Sequence, residues 1–299
     1  MTTIRESISL LASYKNGNTS VEIYSDGSKI REYEGEPKPN YPESIDIKIT
    51  DSCSARCSFC HEQSTPEGKH GSTDFILKIT RDLPAGVELA IGGGNPLSHP
   101  DLIHILEEFK ARGIISNLTI NQVHLKPYKE LISRLIKDES VKGVGVSLTK
   151  KTFDIELLPK TPNLVFHVIA GIQDPSIIDE LLKLPTKPKV LILGYKEYGF
   201  GAAFMNEEIK DKIIRWSRYL PRYFGKALLS FDNLAVKQLD VKRFFTDAGW
   251  SKFYMGDDGM FTMYIDAVLQ TYAISSTKKR VAIGSRSIVE CFREINTCL

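Results

Sequence analysis

The chain has 299 residues, 42% of them hydrophobic, enough to bury one large core. Its 39 basic and 37 acidic residues leave a formal net charge of +2, too weak a field to argue for a polyanionic partner; nucleic acid is neither implied nor excluded. The first residues lack the basic n-region and apolar h-region of a signal peptide, and no stretch approaches the roughly 18 apolar residues of a membrane span, so a cytoplasmic protein without a membrane partner is expected.

Residues 1–43 read as an N-terminal β-hairpin, with strands at 21–24 and 30–33 around Ser25-Asp26-Gly27-Ser28, followed by a proline-rich linker. From residue 44, β-rich runs at 45–49, 87–91, 118–120, 144–148, 164–170 and 190–193 alternate with helical patterns. Leu102, Ile105, Leu106 and Phe109 mark one helix face, Leu131 and Leu135 the next, and a helix over 207–220 follows the sixth strand. This alternation predicts an α/β fold, a parallel sheet curled into a partial, TIM-like (β/α)6 barrel over residues 44–225. Residues 226–299 read as a short C-terminal α/β extension covering the barrel, with a candidate seventh strand at 228–231 and a small β element over 260–272.

The five cysteines do not resemble a secreted disulfide framework, because three of them fall within eight residues. Cys53, Cys57 and Cys60 form CxxxCxxC just after the first barrel strand, on the side where parallel α/β folds place their chemistry. Three thiolates so close can wrap one soft-metal centre, and three ligands on an iron–sulfur cluster leave one iron open. Structural zinc is the rival, with His61 or His70 as fourth ligand, in a non-catalytic binding module.

The motif, with the aromatic Phe59 before its third cysteine, resembles that of the radical S-adenosylmethionine (SAM) superfamily over residues 44–194. The resemblance implies one [4Fe–4S] cluster held by Cys53, Cys57 and Cys60, with Phe59 near the adenine of SAM. It also implies reductive cleavage of SAM to a 5'-deoxyadenosyl radical, hydrogen abstraction from an organic substrate, and a donor such as flavodoxin or ferredoxin.

One strand later, Gly92-Gly93-Gly94-Asn95-Pro96 is a turn whose glycines let backbone approach a ligand. It resembles the superfamily's Gly-Gly-Glu-Pro turn, which contacts the methionine amino group: Gly93, Gly94 and Pro96 match, and Asn95 stands where glutamate is common. Asn121 after the third strand and Ser147 at the end of the fourth are further candidates for the SAM site. Candidate substrate contacts are His61 after the cysteines, Gln122, His167 in the fifth strand, Tyr195 and Lys196 after the sixth, and Asp232 after the seventh. Tyr264 and Asp266 are weaker candidates.

Outside the motif only Cys291 and Cys298 remain, too few to complete a second cubane, so a single cluster is expected. Cys291 is a candidate hydrogen donor if the C-terminal helix folds over the barrel. The favoured substrate is a peptide or protein, modified by epimerisation or cross-linking, because the N-terminal hairpin offers an edge for strand addition. A nucleoside, nucleotide or base stacked on Tyr195, Tyr198 or Phe200 is the alternative.

Overall fold

The computed structural model describes residues 8–297, so Cys298 lies outside the described residues. Three antiparallel strands come first: β1 (Leu10–Asn16), β2 (Thr19–Tyr24) and β3 (Lys29–Tyr33). The expected hairpin is β2–β3; β1 escaped notice because its two leucines, Leu10 and Leu11, are exposed and its inward side chains alternate only weakly.

Seven parallel strands then lie side by side in sequence order: β4 (Ser44–Thr50), β5 (Glu88–Gly93), β6 (Ile115–Asn121), β7 (Gly143–Ser147), β8 (Leu164–Ile169), β9 (Lys189–Leu193) and β10 (Leu228–Phe231). An eighth, β11 (Thr262–Asp266), returns to pair in parallel with β4, and β12 (Thr271–Ala273) and β13 (Val281–Ala282) add antiparallel ribs beyond it. Helices α1 (Thr73–Ile79), α2 (Leu102–Ala111), α3 (Lys129–Lys137), α4 (Ile177–Leu181), α5 (Phe200–Phe204), α6 (Glu207–Tyr219), α7 (Asn233–Gln238), α8 (Asp247–Phe253) and α9 (Ile288–Thr297) complete the fold.

The sheet is larger than the six strands expected. Both β10 and β11, anticipated in a covering extension, belong to it, because Met263 and Ile265 of β11 join the apolar layer that Ile45 and Ile47 of β4 begin. The two ends of the parallel run, β10 and β11, are bridged through the segments beside them: Asn233 Nδ2, at the start of α7, donates to Gly256 O at 3.2 Å and Asp258 Oδ1 at 2.8 Å, both in the segment before β11.

Period-two alternation sorts each strand's residues between two environments. On β4, Ile45, Ile47 and Ile49 are buried in the outer apolar layer, which receives Leu102, Ile105, Leu106 and Phe109 of α2. On α3 the buried pair is Ile132 and Leu135, with Leu131 only on the margin. Asp46 and Lys48, the alternate residues of β4, face the interior of the curled sheet, a cavity of about 600 Å³ lined by both charged and aliphatic side chains.

The N-terminal sheet seals the base of this cavity. Lys29 Nζ lies 2.5 Å from Glu88 at the start of β5, Lys189 at the start of β9 donates to Asp26 O, and Val21 and Ile23 pack on Ile115. Gly27, at φ +83°, comes so close to Asn163 that a Cβ there would lie 2.7 Å from its Oδ1.

Candidate active site

The cysteine loop leaves the C-terminal end of β4 and is pinned by the returning chain. Asp51 N donates to Lys69 O and Cys53 N to Thr65 O, each at 2.8 Å, while Thr50 Oγ1 lies 2.8 Å from His70 Nδ1. All three motif cysteines are half-buried free thiols. Burial, joined by the neighbouring thiols, pushes Cys57 up to about 11 and Cys53 above its usual value. Such a trio needs a positive centre to hold it as thiolates.

The glycine-rich turn at the end of β5 interlocks with that loop. Gly94 N donates to Thr50 O and Asn95 N to Ser52 O, both at 2.7 Å. A Cβ at Gly93, whose φ is +112°, would sit 2.5 Å from Thr50 O, and one at Gly94 2.4 Å from Ser52 O. Only glycine permits this approach. Asn95 is buried and caps the 3-10 turn Pro96–Ser98, its Oδ1 accepting from Leu97 N at 3.3 Å, with Pro96 at the first position. The carbonyl expected to meet an ammonium therefore already has a backbone donor.

Two side chains following β6 reach the thiols. Asn121 Nδ2 lies 3.7 Å from Cys57 Sγ, and the buried His124 places Nε2 3.6 Å from Cys53 Sγ. Asn121 Oδ1 accepts from Val123 N and Thr149 Oγ1, fixing its amide toward the sulfur. His61 and His70, the imidazoles named for zinc, make their contacts elsewhere, with Glu62 and Lys196 and with Thr50 and His99. Among the described residues no three His, Cys, Asp or Glu side chains converge to hold a single metal ion.

Phe59 lies against Phe204, ring centroids 6.2 Å apart, and the segment after β9 rests on the cysteine loop through Phe200 N to Cys60 O at 3.0 Å. Ser147, His167, Lys196 and Asp232 line the cavity with Gly93 and His61. Lys196 Nζ donates to Ser276 Oγ at 2.8 Å and lies 3.3 Å from His61 Nε2. Asp232 Oδ1 accepts from Gly194 N and Ala235 N, capping α7, and burial raises its pKa. His167 lies across Gly145, where a Cβ would meet its ring at 2.3 Å, and burial lowers it to about 4, so it is neutral at pH 7.

Three candidates are engaged elsewhere. Gln122 braces the loop after β7, accepting from Thr149 N and Lys150 N and donating to Thr152 O. Tyr195 is buried, its hydroxyl donating to Gly201 O at 2.7 Å, so its ring cannot stack on a base. Cys291 sits in the apolar core on α9 beside Arg286 and Glu294 and does not line the cavity. The N-terminal sheet proposed for strand addition lies at the opposite end of the strands from the cysteines.

Lys48 and Arg280, which the sequence reading passed over, hold the mouth together with Glu62 and the weaker candidates Asp266 and Tyr264. Lys48 Nζ lies 2.5 Å from Asp51, and 3.0 Å from both Glu62 and Asp266; Arg280 reaches Asp266 at 2.5 Å and Glu62 at 2.9 Å. Tyr264 donates to Glu62 Oε1 at 2.9 Å. Although burial alone would raise it, Glu62 is held well below the usual carboxylate range by His61, Lys48 and Arg280. This network ties the cysteine loop to β4, β11 and the segment before β13.

Residues 47–163 match the sequence model of the Radical SAM superfamily. The matched segment holds the three motif cysteines and the glycine-rich turn. Its fold is similar to that of Streptococcus suis SuiB in three crystal structures. SuiB bound to precursor peptide SuiA gives a TM-score of 0.58 at 13% identity, over 85% of this chain and 65% of that one. SuiB bound to SAM gives 0.52 at 14% identity over 85% and 66%, and a further SuiB structure 0.54 at 13% over 97% and 88%. The chain thus covers just under two thirds of SuiB in the first two, and at these identities the likeness is one of fold. No curated protein matches the sequence.

The superfamily that this model describes takes a [4Fe–4S] cluster and SAM. The residues present fit both groups. Three free thiols on one loop, two of them with amide or imidazole neighbours, suit an iron–sulfur cluster, and the Gly93–Gly94 turn brings open backbone beside them. Among the described residues no helix is long and apolar enough to cross a membrane.

Proposed function

We propose that this protein cleaves SAM reductively, using one [4Fe–4S] cluster held by Cys53, Cys57 and Cys60, and abstracts hydrogen from a peptide substrate. The observation that carries the reading is the interlock of Gly94 and Asn95 with Thr50 and Ser52, which fixes the cysteine loop at the mouth of the cavity. When bound, the cluster and SAM supply an electron and the 5'-deoxyadenosyl radical. The chain's own groups position and enclose: Phe59 flanks the third cysteine, Gly93 and Gly94 present backbone, and Ser147 and Asn121 border the place for the nucleoside. The Lys48–Glu62–Arg280–Asp266 network holds the mouth in shape, and the N-terminal sheet closes the base against water.

A peptide is favoured by the cavity's mixture of charged and aliphatic side chains and by the fold likeness to SuiB, which has been crystallised with a precursor peptide. A flavodoxin- or ferredoxin-type donor would deliver the electron. The test is anaerobic reconstitution followed by reduction in the presence of SAM. The wild type is expected to release 5'-deoxyadenosine and Cys57→Ala to release none; a wild type that binds iron yet leaves SAM intact would refute the reading.

A further inference from the structure

The cavity wall carries unpaired negative charge. Asp46, on β4, is enclosed by the sheet yet keeps an accessible side chain because it faces the cavity. Among the described residues its carboxylate has no hydrogen-bond or ion-pair partner. Asp232 spends Oδ1 on two backbone amides and has no cation within ion-pair distance. The cations nearby are committed: Lys48 to Asp51, Glu62 and Asp266, and Lys189 to Asp26 O and Asn163. Lys196, the remaining one, is held at the rim by Ser276 and His61; it forms an ion pair with neither carboxylate but lends positive potential to both. Asp258, bonded to Asn233, adds negative potential at both aspartates. Two unpaired carboxylates against one cation leave surplus negative charge in an enclosed space, an arrangement that burial penalises until a positive group enters.

We propose that Asp46 and Asp232 form a subsite for an organic cation, a primary ammonium or guanidinium on a flexible stem, so that the substrate peptide presents a lysine or arginine side chain to the cavity. The inference rests on the peptide reading above and names the side chain it would read. Asp46 precedes Thr50, where the cysteine loop departs, by four residues, roughly 13 Å of strand. A cation held at Asp46 therefore anchors the substrate's charged end deep in the cavity and leaves its stem and backbone toward the thiols. Aliphatic Leu191 and Leu193, also in the cavity wall, suit such a stem.

The test is calorimetric binding to the reconstituted, SAM-loaded protein of blocked pentapeptides carrying lysine, arginine, norleucine or glutamate at the centre, with cadaverine as a free amine. The lysine or arginine peptide is expected to bind at least tenfold more tightly than the norleucine peptide. Asp46→Asn should erase that preference and Asp46→Glu retain it, with melting temperatures confirming that both variants fold. Cadaverine binding lost in Asp46→Asn would also support the subsite and would identify a small amine as a sufficient occupant. Equal binding of lysine and norleucine peptides, tighter binding of glutamate, no binding of any cation, or a preference that survives in Asp46→Asn would overturn it. Release of 5'-deoxyadenosine by the wild type is read separately, so failure of the subsite and failure of the radical chemistry are distinguishable.

Discussion

His124 Nε2 stands 3.6 Å from Cys53 Sγ, ahead of α3, in a buried position with the Tyr128 ring edge-on beside it. An imidazole there, kept neutral by burial, can donate to the sulfur of a cluster ligand and tune the iron behind it. His124→Ala is expected to lower iron retention or turnover by about tenfold or more. Iron content after gel filtration, with potentiometric titration of the cluster, checks this; unchanged retention and potential would make His124 a packing residue.

Gly94→Ala should separate the two loops that meet at the mouth, since its Cβ would fall 2.4 Å from Ser52 O. Neither backbone can yield without breaking the Gly94–Thr50 or Asn95–Ser52 hydrogen bond. A stability loss of about 1–3 kcal/mol is expected, with weaker SAM binding, measurable by chemical denaturation and equilibrium dialysis. A variant with unaltered stability and SAM affinity would show that the turn has room the geometry denies.

Asn95→Ala should cost about 1 kcal/mol through loss of the cap on Leu97 N–H. Asn95→Asp keeps the capping oxygen and supplies the acid usual at this position, so it should bind SAM more tightly than the wild type. Equal affinities would place the amino group of SAM away from residue 95.

His167 makes stability pH-dependent. Its pKa falls from 6.5 to about 4 on burial in the cavity, so the unfolded chain binds the extra proton first as pH drops. Stability is full above pH 6.5, declines between 6.5 and 4, and loses as much as about 3 kcal/mol. Urea denaturation across that window should show His167→Gln with a flatter profile; identical slopes would mean the ring titrates normally in the fold.

The cysteine spacing, the glycine turn and the six central strands were legible because each is a local pattern, a fixed spacing or an apolar run between turn signals. β11 was not, because Thr262–Asp266 reads as an isolated β segment until Met263 and Ile265 are seen to continue the apolar layer of β4. Asp46 and Lys48 were hidden in the run read only as 45–49; alternation of charge and isoleucine along Ser44–Thr50 was the signal that one face of this strand meets an open cavity rather than the core. For Tyr195 and Gln122, proximity to a strand end does not reveal that the Tyr195 hydroxyl bonds Gly201 O and that Gln122 accepts from the Thr149 and Lys150 amides. His124 needed three-dimensional information, since 71 residues separate it from Cys53.

The central claim is that Cys53, Cys57 and Cys60 hold a cluster with an open iron that SAM occupies. The most direct measurement is iron, sulfide and zinc analysis of the anaerobically purified protein, with electron paramagnetic resonance of the reduced form before and after SAM is added. The account predicts about four irons and four sulfides per chain, a reduced-cluster signal that changes on SAM addition, and loss of both in Cys57→Ala. Stoichiometric zinc without iron, or a cluster signal indifferent to SAM, would contradict it.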